Sequence, residues 1–389
     1  MTRVLLLDTS FAARPIHDWL LSESCEVWVI GNRPNDVLAR RDPAHYLQDN
    51  YADIDVVQAH VDRLGIDYVV PGCTDISIET AQRLTGLKTV LDSADTYTQI
   101  TNKGSFRALC DRLNLPAPKR VREDQLPYPG KLIAKPVDAF SGRGIVVFDG
   151  QDRDAGLKAL ADAQAASRNG AALLETYVEG QLYSYSCFLK DHKVVNATIV
   201  REDGSVTPYA VDTSYVVWDF PAHGTAILKD ATEQIAAELD LVDGLLHIQF
   251  IWDAERPWLI ELSRRCPGDL YPRLVELSTG QPHAAAYAAH FVGRPVPEWS
   301  EKIHHVLRHT ITAGHHNYET LSFNQPTPVI ELYSLASTGR EAPPVARIDR
   351  VALMFLECVS ARKLREYHQE LLKRSTYKTH FDVIAKTEG

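Results

Sequence analysis

The 389-residue sequence predicts a mixed α/β and α+β fold, with a parallel sheet first and antiparallel sheets after it. Three observations point there. Residues 1 to about 95 alternate short apolar strands with helix-like segments. From about residue 100 strands follow one another in antiparallel style. A hairpin from about 246 to 263 then carries one apolar and one polar face.

In order, "RVLLLDT" reads as a strand, "ARPIHDWLLSES" as a helix and "CEVWVIGN" as a second strand. "VDRLGIDYVVPG" leads into "DISIETAQRLTGL", and "KTVLDS" closes the run. Short, continuously apolar strands between helices indicate a parallel sheet covered on both faces. The polar strand ends "DTS" and "PGCTDIS" fall where such sheets bind ligands, which draws attention to Thr9, Ser10 and Asp75. No GxGxxG follows the first strand, so a dinucleotide fingerprint is absent. "NKGSFRALCDRLNL" places Phe106, Leu109, Cys110 and Leu113 at helical spacing, and Pro116 and Pro118 stop it. The strands "KLIAKP", "GIVVF", "AALLETYV", "LYSYSCFL" and "KVVNATIV" follow, then the helix "DATEQIAAELDL" and the hairpin. After Gly293, "RPVPEW" is a linker-like break, and the remainder reads as strands with one long helix.

Composition narrows the function classes. With 45% apolar and 24% charged residues the chain is an ordinary globular protein. A net charge of −10 argues against a general nucleic-acid binder. No apolar run is long enough to span a membrane, and Asp8 interrupts the opening run before it could be a signal peptide. Six dispersed cysteines without a CxxC pair suggest reduced thiols and a cytoplasmic location.

The hairpin "GLLHIQFIWDAERPWLIELSRR" concentrates the chemistry. A symmetric five-residue turn centred on Glu255 pairs Trp252 with Trp258, Phe250 with Ile260 and Ile248 with Leu262 on one face. The opposite face pairs Gln249 with Glu261 and His247 with Ser263. Gln249 and Glu261 so placed offer oxygen ligands to a hard cation such as Mg²⁺, and Arg265 adds a forked donor for phosphate or carboxylate. Upstream, Lys103 at a helix start, Lys135 on a strand and the loop "DAFSGRG" are the parts that hold a triphosphate. The lysines neutralise phosphate charge, and Gly142 and Gly144 let backbone N–H groups approach its oxygens.

The motifs "NK" (Asn102, Lys103), "IAKPVDAFSGRGI", "LLETYVEG" and "HIQF…IELSRRCPGD" resemble the ATP-grasp superfamily, in the branch with biotin carboxylase and the amino-acid ligases. The resemblance covers essentially the whole chain. It implies a Rossmann-like pre-ATP-grasp domain over 1–98 and an ATP-grasp domain over 99–293 with a small lid subdomain at about 119–180. A C-terminal α+β lid-like domain would follow over 294–389. Two antiparallel sheets would clamp ATP, with adenine between them. Lys103 and Lys135 would contact the phosphates, Ser141, Gly142 and Gly144 would close over them, and Glu175, Thr176, Tyr177 and Val178 would form the adenine hinge. Gln249, Glu261 and Ser263 would stand at the Mg²⁺ (or Mn²⁺) positions, with Arg265, Lys135 and Glu261 serving catalysis. Three departures stand out: Gln249 replaces an acid, Ser263 replaces an amide, and Leu182 stands where relatives carry a polar group near the ribose.

Other candidates are weaker. His305 and His309 have metal-ligand spacing, with His304, His315 and His316 nearby, but "HVLRHTITA" is β-branched and alternating, so the helix this spacing needs is not expected. Cys266 lacks an evident base. Asp269, Tyr271 and Arg273 could line an acceptor pocket or cap a helix. The expected activity is joining a small-molecule carboxylate to an amine at the expense of ATP, with a homodimer possible. A bicarbonate-dependent carboxylase and a non-catalytic ATP-binding module are the alternatives.

Overall fold

The computed structural model describes residues 1–137, 142–206, 209–313, 320–335 and 349–380. The chain divides into two compact units, the first formed by residues 1–201, 217–273 and 281–299, the second by 202–216, 274–280 and 300–389.

The first unit opens with a parallel sheet in the order Tyr46–Leu47, Glu26–Ile30, Arg3–Leu7, Tyr68–Pro71. Its central strand is apolar at every position because both faces are covered. Val4 and Leu6 enter one core cluster, and Leu5 and Leu7 enter another. Helices Arg14–Ser22, Ile54–Leu64 and Asp75–Ala81 follow the first, third and fourth strands in sequence. Asp53 caps the second of these through the Val56 N–H, and Gly65 ends it in a left-handed conformation (φ 62°). "KTVLDS" forms no strand; instead the Thr89 hydroxyl bridges both backbone groups of Val69. At the strand ends, Gly72 lies so close to Asp8 that a Cβ there would sit 2.2 Å from the Asp8 Cβ.

Helix Lys103–Arg112 starts at Asn102, whose side chain accepts from the Ser105 N–H. Its stripe of Phe106, Leu109 and Cys110 is buried as the periodicity predicts. A three-stranded antiparallel sheet follows, ordered Val146–Asp149, Lys131–Pro136, Ala172–Thr176. Helix Arg153–Ala166 packs on it through Ala159 and Ala163. Four further antiparallel strands run in the order Pro257–Ser263, Gly244–Trp252, Gln181–Lys190, Lys193–Asp203, backed by helix Ala222–Glu238.

The hairpin differs from the symmetric expectation. His247–Ser263, Ile248–Leu262 and Gln249–Glu261 pair as expected, but Phe250 pairs with Leu259 and Trp252 with Pro257. The turn is one residue shorter than expected because Asp253 caps it, accepting from the N–H groups of Glu255 and Arg256. A bulge at Ile260 absorbs the extra residue. Two contacts hold the bulged strand from outside. The Leu259 N–H donates to the Pro116 carbonyl at 2.8 Å, and the Arg107 Nη2 donates to the Ile260 carbonyl at 2.9 Å. Leu259, rather than Ile260 and Trp258, therefore fills the core, fully buried.

The second unit has antiparallel strands Thr213–Val216, His305–Ala313, Asp349–Cys358 and Val329–Ser334, paired in that order. Helix Ala361–Leu372 buries Leu364, His368 and Leu371. His305–Ala313 is a strand as expected, and buried His309 bonds to the Thr213 hydroxyl and to Tyr377. His315 and His316 lie outside the described residues.

Candidate functional site

Strand pairing builds the polar face row by row. Ser184, Gln249 and Glu261 oppose one another across three strands, and Ser186, His247 and Ser263 form the next row. Directly opposed residues share a face, so these six groups line one side of the sheet, with Ile248, Phe250 and Leu262 in the core on the other. The bulge falls on the turn side of Gln249, so the row that matters is untouched by the shortened turn. Burial pushes the His247 imidazole down to about 3, and the Arg265 cation adds to the effect. The Ser263 hydroxyl accepts from the Arg265 N–H.

Helix Lys103–Arg112 delivers two cations to this region. Lys103 Nζ lies 3.7 Å from Glu261 Oε2, and the Glu261 side chain is 46% exposed. One turn later, Arg107 is fully buried, with Nε 2.5 Å from Glu175 Oε1. Lys135 Nζ lies 2.5 Å from the other oxygen of Glu175. Both contacts are buried ion pairs, and the coulombic pull of Glu175 is the main force holding charge on Lys135. Burial pulls the Lys135 pKa down, Glu175 opposes that pull, and the Arg107 and Lys103 cations reinforce it. Two buried cations share one buried carboxylate, so the formal charges of the cluster sum to one positive charge.

Arg264 and Arg265 serve opposite sides. Arg264 is buried, with Nε 2.7 Å from Asp92 and Nη2 on the Val242 carbonyl. Arg265 reaches the end of the parallel sheet, where its Nε donates to Asp75 at 2.8 Å and Tyr97 donates to the same carboxylate oxygen. Burial lowers the Arg265 pKa, but Asp75 more than offsets it and holds the guanidinium above its usual range.

The remaining expected residues occupy the loop and the hinge. Gly142 and Gly144 both have left-handed backbone (φ 73° and 72°), and a Cβ on Gly144 would stand 2.5 Å from the Ala166 Cβ. Ser141 lies outside the described residues. Thr176 is tied to Lys119 through its N–H and its hydroxyl, and the Tyr177 N–H bonds to the Lys131 carbonyl. These ties fix the segment through Tyr177, and strand Gln181–Lys190 begins shortly after it. The Glu175 side chain points inward to Arg107 and Lys135, leaving only its backbone for the hinge. Cys266 is buried, as are the other five cysteines, and none is disulfide-bonded. The Tyr271 hydroxyl meets the Ser184 hydroxyl at 3.1 Å, while Asp269 and Leu270 have positive φ just before helix Tyr271–Thr279.

Sequence reasoning missed Arg107. Its signal was available, since Arg107 stands between Phe106 and Leu109 in the apolar stripe, where an unpaired charge would be costly. As for a metal, no group of three His, Cys, Asp or Glu is close enough to hold one among the described residues. Glu261, Gln249 and Ser263 are nonetheless hard oxygen donors on one face, and the half-exposed Glu261 carboxylate fits a Mg²⁺ that takes its other ligands from phosphate and water.

No family model matches the chain. It is 23% identical over 266 residues to the carbamoyl phosphate synthase large chain of Deinococcus radiodurans, a match covering 64% of this chain. The matched stretch spans about 25% of the length of that relative. Solved structures align along nearly the whole chain. Phosphoribosylglycinamide synthetase from Anaerococcus prevotii gives a TM-score of 0.76 at 14% identity, covering 98% of this chain and 99% of that one. L-amino acid ligase from Bacillus licheniformis gives 0.72 at 16% identity with the same coverages. The biotin carboxylase domain of Hydrogenobacter thermophilus 2-oxoglutarate carboxylase, solved with MgADP, ADP and bicarbonate, gives 0.76 at 13% identity, covering 97% and 90%. The chain has the ATP-grasp fold.

Proposed function

We propose that the protein is an ATP-dependent carboxylate–amine ligase that forms an amide through an acyl phosphate and releases ADP and phosphate. The observation that carries the reading is the surplus positive charge of the Arg107–Glu175–Lys135 cluster. With Lys103, it stands beside a face bearing Glu261 and Gln249. Buried charge of one sign needs a counterion, and a polyphosphate supplies several. The fold shared with ligases and carboxylases supports the class.

Lys103 and Lys135 neutralise the phosphates, Gly142 and Gly144 with Ser141 close over them, and the backbone of Glu175 to Val178 receives adenine. Glu261, Gln249 and Ser263 would hold Mg²⁺ or Mn²⁺. The metal would neutralise charge on the phosphates and help align them. The substrate carboxylate, aligned by Arg265, attacks the γ-phosphorus. A P–O bond forms as the bond to the ADP oxygen breaks, and ADP departs with that electron pair. A neutral amine then adds to the acyl carbon, phosphate leaves, and the nitrogen loses one proton. The protein contributes position and charge neutralisation rather than a covalent intermediate. The proposal includes the domain division at residues 98 and 293, a cytoplasmic setting and a possible homodimer. No described helix is long and apolar enough to cross a membrane.

The test is release of ADP and phosphate over a panel of carboxylates paired with amines. Turnover that needs both partners supports the ligase. Bicarbonate-dependent ADP release without an amine, or release of AMP and pyrophosphate, would overturn it.

A further inference from the structure

We infer that Arg107 is a positioning residue that sets the charge of the cluster around the phosphate-binding lysine and the presentation of the metal-binding acid together. The inference rests on the nucleotide reading above and deepens it.

Arg107 is the largest fully buried side chain among the described residues, and it is charged. A salt bridge alone does not account for that, because Lys135 already neutralises Glu175 at 2.5 Å. A closed Lys135–Glu175 pair would carry no net charge and offer nothing to a phosphate. Adding Arg107 changes the sum. Arg107 and Lys135 are each +1 and Glu175 is −1, so the cluster holds +1 and Lys135 keeps attraction for an anion. A second contact goes to the hairpin, where Nη2 holds the Ile260 carbonyl at the bulge, the residue directly before Glu261. A guanidinium can serve both partners because its donors diverge in one rigid plane, which a lysine cannot imitate. The helix carrying Arg107 also carries Lys103, one turn earlier and 3.7 Å from Glu261. One rigid element thus relates both lysines to the acid.

The test is calorimetric ATP binding, once in EDTA and once with Mg²⁺, for the unsubstituted chain, Arg107→Met, Arg107→Lys and Arg107→Met/Glu175→Gln. Circular dichroism checks folding. Arg107→Met brings the cluster to zero charge and should weaken metal-free ATP binding about tenfold or more. Removing the Glu175 charge as well restores +1, so the double variant should bind metal-free ATP within about threefold of the unsubstituted chain. Arg107→Lys keeps the charge and should do the same. None of the three variants should recover the full gain in affinity that Mg²⁺ gives, because the Ile260 carbonyl has lost its forked donor. Should Arg107→Met fail to fold, Arg107→Lys still decides, since it keeps the charge and removes only the fork to Ile260, and a full gain from Mg²⁺ in that variant would overturn the inference.

A folded Arg107→Met that binds ATP like the unsubstituted chain in both media would overturn the inference alone. So would a double variant as weak as the single one, because lost packing is not repaired by a second substitution. No ATP binding by the unsubstituted chain would instead sink the nucleotide reading, and this inference with it.

Discussion

Two lysine–glutamate pairs lie close together in this protein and behave as opposites. Lys103 and Glu261 stand 3.7 Å apart, with the carboxylate 46% exposed. Lys135 and Glu175 stand 2.5 Å apart, both buried, with Arg107 on the far side. The first pair is open on one side only: the Lys103 side chain is 12% exposed, but its carboxylate partner meets solvent, which weakens their attraction. The second cannot be opened without stranding charge in the interior. The sequence offers both lysines in the same guise, as phosphate ligands. The fold separates one whose carboxylate partner is open to solvent from one whose partner is sealed in the core.

The comparison breaks most visibly in turnover. Glu261→Ala should reduce ADP release by about a hundredfold or more while thermal stability barely changes, since the acid belongs to the open pair. A fully active variant would remove Glu261 from the metal role. Glu175→Ala should do the reverse, costing about 3–5 kcal/mol in chemical denaturation because two buried cations lose their carboxylate. A cost near that of an exposed ion pair would show that the cluster is solvated after all.

The hairpin that carries Glu261 sharpens the contrast. Leu259→Ala should cost about 2–5 kcal/mol, as for a fully buried leucine, and Ile260→Ala clearly less. Equal costs would argue against the bulge. Acid should act through histidines that burial holds neutral: His17 near 4, with His247 and His283 near 3. An unfolded histidine takes its proton near 6.5, so below that value the unfolded chain binds more protons. Stability is then fully present above about pH 6.5 and falls with acidification toward pH 4, by up to about 1.4 kcal/mol per pH unit for each histidine. Denaturant midpoints against pH check the direction, and His283→Phe should flatten the slope. The smallest effect on stability belongs to Lys103→Ala, within about 1 kcal/mol, and it should appear instead as weaker ATP binding.

Much of this was legible because it rests on local rules. The apolar runs of Val4–Leu7 and Val69–Val70 announced a sheet covered on both faces, and strict alternation put Gln249 opposite Glu261. The turn of the hairpin was not legible. Its register is set partly by Asp253 and partly by Pro116 and Arg107, more than a hundred residues away. The polar row survived that error only because the bulge lies on its turn side. Arg107 escaped for a related reason. An arginine in an apolar stripe signals a buried partner, but nothing local names Glu175, which reaches it through the pairing of distant strands.

The neighbouring Arg264 and Arg265 carry one last consequence. Both lie in the bend just after strand Pro257–Ser263, and there one arginine ties down Asp92 while the next reaches Asp75. Chemically they are twins, and only the direction each takes at that bend tells them apart. Deleting a single residue just upstream of the bend would displace both anchors at once, the one at Asp92 and the one at Asp75.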